Sequence, residues 1–191
     1  MEHPLPNPPN LCCMISGGGR TVLNLLDAIE RNDLPARIPL VIASGPCTGI
    51  ERCQDRGLHV LTIPGTIPAD ALGATLNEHN IDLVVLAGYL KMVRIPPGYE
   101  NKIINIHPAL LPKFGGKGMH GHHVHQAVLA AGEKETGCTV HFADAHYDTG
   151  PIILQMKCPV LATDTPDTLA ARVFDVECQA YPAAIKQLLQ R

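Results

Sequence analysis

The chain's fold is constrained most by a rhythm in its apolar residues. Short continuous apolar runs at residues 11–15, 40–43, 59–63 and 83–87 alternate with stretches whose apolar residues recur at helical spacing. Runs of that length suit strands buried on both faces, and strands separated by helices pair in parallel. The helical stretches are 22–32, with Leu25, Leu26 and Ile29 on one side, 49–56, short and polar, and 68–79, which places Ala71, Leu72, Thr75 and Leu76 together. The expected class is α/β, a mostly parallel twisted sheet with helices on both faces.

After Gly88 the rhythm changes. Residues 103–106 make one more short strand, followed by an irregular stretch from 107 to about 121 rich in Gly, Pro and Lys. A long ordered loop in a compact domain is usually functional. A helix at 124–131, an alternating strand at 138–142 and a strand at 152–158 come next, the last two expected to pair with one face of each exposed. In the closing helix Thr165 is the N-cap, Pro166 takes the first position, and Leu169, Val173, Val176 and Ala180 form the apolar stripe. Pro182 should kink or divide it. No repeat or linker interrupts the chain, so a loose tail over 1–10 and a single domain over 11–191 are expected.

Fifteen Lys and Arg against eighteen Asp and Glu give a net charge of −3, which provides no bulk positive field for nucleic acid. No apolar run approaches the roughly 18 residues that a membrane span needs. The first ten residues hold four prolines and no apolar core of a signal peptide. Seven cysteines, an odd number without a C-x-x-C pair, read as reduced thiols. A cytoplasmic protein with small-molecule partners, and with neither nucleic acid nor membrane among them, is expected. Its state as monomer or homodimer stays open.

Ser16-Gly17-Gly18-Gly19-Arg20-Thr21 falls between the first strand and the first helix, where backbone amides and a helix N-terminus favour an anion. The spacing is not that of a dinucleotide fingerprint: the third glycine position is Val22, and the second strand ends in Ala43-Ser44-Gly45 with no acid for a ribose. Nor does the loop end in Gly-Lys-Ser/Thr. Two readings remain, a turn that lets strand and helix pack, or a pocket for a monophosphate assisted by Arg20 and Thr21.

Asn105 and His107 are two residues apart at the end of an apolar strand, so both point to one face at the carboxyl edge where open α/β sheets bind ligands. An amide donor beside an imidazole can hold a developing oxyanion and move a proton, as acyl transfer to an amine requires. Asp148, before Thr149-Gly150-Pro151, lies in a turn that can bring a carboxylate to that imidazole and raise its pKa. The competing reading is that Asn105 and His107 only tie down the following loop.

Asn105-Ile106-His107-Pro108-Ala109-Leu110-Leu111-Pro112, with Asp148-Thr149-Gly150-Pro151-Ile152-Ile153-Leu154-Gln155, resembles the signature of the folate-dependent formyltransferases. The likeness extends from Ile15-Ser16-Gly17 through Leu86-Ala87-Gly88-Tyr89 to Arg172-Val173 and Glu177. It implies a Rossmann-like formyltransferase fold. The implied reaction moves the formyl group of 10-formyltetrahydrofolate, without a metal, to the amine of 5-phosphoribosylglycinamide in de novo purine (IMP) synthesis. Another small amine, such as an amino sugar nucleotide, is the alternative acceptor.

Carried over residue by residue, the resemblance gives Gly18, Gly19, Arg20 and Thr21 to the substrate phosphate and Glu177 to its ribose or amine. Leu90, Lys91, Met92 and Val93 match the segment that holds the pterin, largely through backbone. Asn105 contacts the formyl oxygen, His107 is the general acid, and Asp148 tunes His107. The pattern departs from the family's in two places. Gly18-Gly19-Arg20-Thr21 stands where many relatives have smaller polar residues, and no Lys or Arg occurs between Arg56 and Lys91 to reach the folate. Relatives acting on initiator methionyl-tRNA carry an extra C-terminal domain and the deformylases an extra N-terminal one; a chain ending at Arg191 is expected to have neither.

His120, His122, His123 and His125 form a tract that can bind metal, but no Cys or carboxylate stands at zinc-like spacing to it. A loop flanking the active site is the preferred reading. His141, sharing a face with Thr139, is expected to make a structural hydrogen bond, and Lys113 and Lys117 to be solvated.

Overall fold

A computed structural model of the chain describes residues 8–190. The first seven positions of the expected tail lie outside the described residues, and Asn10, its last, already belongs to a strand. Seven strands and five helices follow in the order β1 (Asn10–Ile15), α1 (Arg20–Glu30), β2 (Arg37–Ala43), α2 (Thr48–Asp55), β3 (Val60–Thr62), α3 (Ala69–Glu78), β4 (Leu83–Leu86), β5 (Ile103–His107), α4 (His122–Ala130), β6 (Glu135–Phe142), β7 (Ile152–Pro159) and α5 (Pro166–Leu189). The strands form one mostly parallel sheet in the order β3-β2-β1-β4-β5-β6-β7. The backbone divides into two compact units, the first running to Ile104 and taking in Ile185 onward, the second being Asn105–Ala184.

In the first unit β1 pairs in parallel with both β2 and β4, and β2 with β3. Leu11, Cys12, Cys13, Met14 and Ile15 are all buried, as a central strand flanked on both edges demands. β3 differs from the expectation: it is three residues long, stands at the sheet's edge and is only partly covered. The stripe of α1 is Val22, Leu25 and Ala28 rather than Leu25, Leu26 and Ile29, a rotation of the buried face toward the smaller residues. On α3 the buried residues are Leu72, Gly73 and Leu76, and Ala71 is exposed.

In the second unit β6 and β7 pair antiparallel, as expected. They do not share the expected half-exposure. β6 is buried from Thr136 to His141, whereas β7 at the sheet's edge is exposed or half-exposed except at Cys158. Thr165 caps α5 by accepting from the Thr168 amide at 3.3 Å, and an Asp164–Arg172 ion pair closes behind it. Pro182 does not divide the helix, which runs 24 residues with the proline inside. Leu169, Val173, Ala180, Tyr181 and Ala184 are buried, and that packed stripe compensates for the one amide donor a mid-helix proline removes.

The turn after β1 is shaped from outside by α2. The Gly49 amide donates to Gly17 O at 3.1 Å, and a Cβ on Gly49 would lie 2.5 Å from that oxygen and 2.9 Å from both Gly19 N and Ile15 Cδ1. Two of those three atoms are backbone and cannot step aside. Gly49→Ala is expected to cost about 1–3 kcal/mol, the usual range for overpacking, and a chain of this size loses about 2–4 °C of Tm per kcal/mol. Gly45→Ala, with nothing within 4 Å, is the control. Equal melting curves for the two variants would contradict this packing.

Candidate active site

β5 supplies the first two side chains by alternation. Ile104 and Ile106 are buried to one side, while Asn105 and His107 turn to the other, where Asp148 meets both. The Asn105 Nδ2 lies 3.4 Å from Asp148 Oδ1, and His107 Nδ1 lies 3.4 Å from Asp148 Oδ2. The other ring nitrogen of His107 donates to Phe114 O at 2.7 Å. The irregular stretch after β5 therefore folds back over its own starting histidine.

A short turn aims Asp148. The Asp144 carboxylate accepts from the His146 amide at 2.9 Å and from the Thr149 hydroxyl at 2.8 Å, cross-bracing the turn on both sides of Asp148. Asp148 itself has φ +59°, a left-handed conformation that Asp tolerates better than most residues. Its Oδ2 also accepts from the Gly116 amide at 2.9 Å. Behind this, Thr139 on β6 donates to Ala109 O at 2.7 Å and accepts from the Leu111 amide at 3.0 Å and from Gln155 at 2.9 Å. That buried network fixes the segment that follows His107.

Burial pushes the His107 imidazole below its ordinary value. The Asp148 carboxylate and the Phe114 carbonyl oppose that shift, and His141 adds to it. The sequence reading expected Asp148 to raise this pKa; the carboxylate does pull upward, but desolvation outweighs it. Burial acts on Asp148 in the opposite sense, pushing its carboxyl up, yet His141, His107 and the Gly116 amide together hold it below the usual range. Both directions favour an ionised carboxylate beside a neutral imidazole near neutral pH.

His141 is the site residue that sequence reasoning left outside. It is buried, its Nδ1 lies 2.8 Å from Phe142 O, and its Nε2 lies 3.2 Å from Asn105 Nδ2 and 3.5 Å from Asp148 Oδ1. The available signal was its alternation with Thr139, which put two polar side chains on the inner face of an apolar strand. Of the histidine tract, His122, His123 and His125 open α4, which starts two residues earlier than expected. His125 is buried with no hydrogen-bond partner for Nδ1 among the described residues, and burial, His122 and His107 all push its pKa down. No group of three His, Cys, Asp or Glu stands ready for a metal among the described residues. Glu177, on α5, is half-buried near Cys138, whose thiol is pushed up to about 12 by burial and by that carboxylate.

In the first unit Gly19 is the N-cap of α1 with φ +70°, no side chain caps the helix, and its first turn holds no acid. A helix start of this kind favours negative charge at its amide end. Arg20 is exposed and Thr21 half-buried. Arg52 and Ser16 hold this loop: Arg52 donates to Gly18 O at 3.0 Å, and the Ser16 hydroxyl lies 2.7 Å from Ser44 Oγ and accepts from the Leu90 amide at 2.9 Å. That contact spends the Leu90 amide. The Leu90 side chain is exposed, Lys91 is exposed, Met92 is half-buried and Val93 is buried.

The chain belongs to the formyl transferase family, whose profile matches residues 10–185. It is 38% identical over 190 residues to the chloroplastic phosphoribosylglycinamide formyltransferase of Vigna unguiculata, covering 94% of this chain but only 61% of that protein's length. With the phosphoribosylglycinamide formyltransferase of Haemophilus influenzae the identity is 34% over 190 residues, covering 92% of this chain and 85% of the relative. Among solved structures, glycinamide ribonucleotide transformylase 1 from Symbiobacterium toebii superposes with a TM-score of 0.88 at 35% identity, covering 97% of this chain and 90% of that one.

The site's electrostatics predict a titration. His107, followed by NMR, should titrate below its ordinary value of 6.5, and Asp148→Asn should lower it further by removing the upward pull. Because the folded ring binds its proton less readily than the unfolded one, its contribution to stability is full above 6.5 and is lost as pH falls through the folded value. An unchanged or raised His107 pKa in Asp148→Asn would contradict the pairing.

Proposed function

We propose that this chain transfers the formyl group of 10-formyltetrahydrofolate to the amine of 5-phosphoribosylglycinamide, giving formylglycinamide ribonucleotide in de novo purine synthesis. The convergence of Asn105, His107 and Asp148 side chains carries the reading, and the names of the relatives support the acceptor. The acceptor amine attacks the formyl carbon, and the carbonyl pair moves onto oxygen. Asn105 donates to that oxyanion. His107, with its Nε2–H held by Phe114 O, takes on Nδ1 the proton that the attacking nitrogen sheds, becomes an imidazolium beside ionised Asp148, and passes that proton to N10 of the folate as its bond to carbon breaks. One proton moves, no electrons are gained or lost, and no metal takes part.

The substrate phosphate belongs to Gly18, Gly19, Arg20 and Thr21, where the uncapped, acid-free start of α1 supports it. Glu177 serves the ribose or amine. Leu90, Lys91, Met92 and Val93 serve the pterin, with the Leu90 amide excepted. One family match runs through both compact units, which supports a single formyltransferase domain over residues 11–191. No helix of the described residues is long and apolar enough to cross a membrane, and seven free cysteines, most of them buried, suit a cytoplasmic setting.

The test mixes purified protein with 10-formyltetrahydrofolate and follows the deformylated folate by absorbance, with and without 5-phosphoribosylglycinamide. Turnover should depend on that acceptor. Turnover in its absence would make the chain a hydrolase, and turnover only with an amino sugar nucleotide would move the activity to another acceptor. His107→Ala should lower kcat by about 10²–10⁴, and Asn105→Ala by about 10²–10³; full activity in either would overturn its role.

A further inference from the structure

An asparagine side chain presents an oxygen as readily as an NH2, and only its neighbours decide which. We propose that His141 makes this choice for Asn105, holding the amide with its nitrogen inward and one N–H ready for the formyl oxygen, so that His141 is a positioning residue of the reaction. The proposal rests on the reading of Asn105 as the oxyanion donor.

The argument starts at the far side of the ring. His141 Nδ1 lies 2.8 Å from Phe142 O, and a carbonyl can only accept, so Nδ1 carries the hydrogen. In the neutral ring Nε2 is then a bare lone pair. Two groups face it: Asn105 Nδ2 at 3.2 Å and Asp148 Oδ1 at 3.5 Å. The carboxylate offers no hydrogen, so the amide must supply it. An inverted Asn105 would gather three acceptors, its own oxygen, Nε2 and Asp148 Oδ1, in one small space with no donor among them.

With the nitrogen inward, Nδ2 places one hydrogen on His141 and the other toward Asp148 Oδ1 at 3.4 Å. Charge-assisted N–H···O bonds are normally about 2.7–2.9 Å, so the second contact is a loose one. The hydrogen on His141 is the anchor, and the loosely held one can exchange Asp148 for a substrate oxygen that arrives along its direction. His141 is buried on β6, so the anchor is as rigid as the strand that carries it. A doubly protonated ring would point Nε2–H at Asp148 and turn the Asn105 amide over. The groups facing the ring are Asn105, Asp148 and, electrostatically, His107.

The first measurement needs no activity. In protein with 15N-labelled histidine at neutral pH, His141 should show a protonated Nδ1 and an unprotonated Nε2; an Nε2–H tautomer or a doubly protonated ring overturns the proposal. The second compares His141→Gln, whose carbonyl oxygen can still accept from Asn105, with His141→Leu, which cannot. His141→Leu should lower kcat by about 10²-fold, the low end for losing an oxyanion donor, with KM for the acceptor changed by less than about twofold because a transition-state contact is what is lost. His141→Gln should recover at least about tenfold of that loss. In an Asn105→Ala background His141→Leu should cost less than about threefold, since the two act as one unit. Equal costs in both backgrounds, or no recovery by Gln in variants with unchanged melting, would overturn it. If wild-type protein has no acceptor-dependent turnover, the function fails, and the proposal then stands or falls on the tautomer alone.

Discussion

A single largely buried carboxylate organises the second unit. Asp148 meets Asn105 and His107 from β5, His141 from β6 and the Gly116 amide from the stretch between them. Burying a charged group is costly unless it is well partnered. Here the Gly116 and Asn105 amides donate to it and the His107 and His141 rings stand beside it, and its pKa lies below the usual range despite the burial. The turn that carries Asp148 is itself braced by Asp144, so the carboxylate is placed before any ligand arrives.

The first unit solves a different problem, keeping a glycine turn open without letting it collapse. Its amides must remain unfilled by side chains if an anion is to take them, so the restraint comes from behind. Gly49 approaches closely enough to bond Gly17 O, Arg52 holds Gly18 O, and Ser16 ties the turn's start to Ser44 and to the Leu90 amide. All three grip carbonyls or the hydroxyl at the turn's root. None of the three caps α1, whose N-cap Gly19 makes no side-chain cap hydrogen bond.

Much of this was legible in the sequence, and what was not has physical reasons. Continuous apolar runs gave away β1, β2 and β4 because a strand buried on both faces has no room for polar residues. The two-residue spacing of Asn105 and His107 placed them on one face, and Asp148 beside glycine and proline announced a turn. Periodicity misjudged β3 and β6 because it reads apolarity and not neighbours: an apolar strand can stand at an edge, and His141 and Thr139 can be buried among partners. Pro182 reads as a kink or a division because its own cost is visible in the sequence, whereas the packing of Tyr181 and Ala184 that keeps the helix undivided is not. Asp148 does pull the His107 pKa upward, as its place beside the motif implies, but the desolvation that outweighs this pull leaves no mark in the sequence. A charged neighbour can be guessed from a motif; the depth of burial cannot.

The central claim is that His107 and Asp148 work as one proton-handling unit. A double-mutant cycle on kcat/KM, with His107→Ala, Asp148→Asn and both together, tests it most directly. A double variant no slower than the worse single one, within about threefold, is the result for groups acting as a unit. Losses that simply multiply, in variants that melt normally, would show two independent residues and contradict the account.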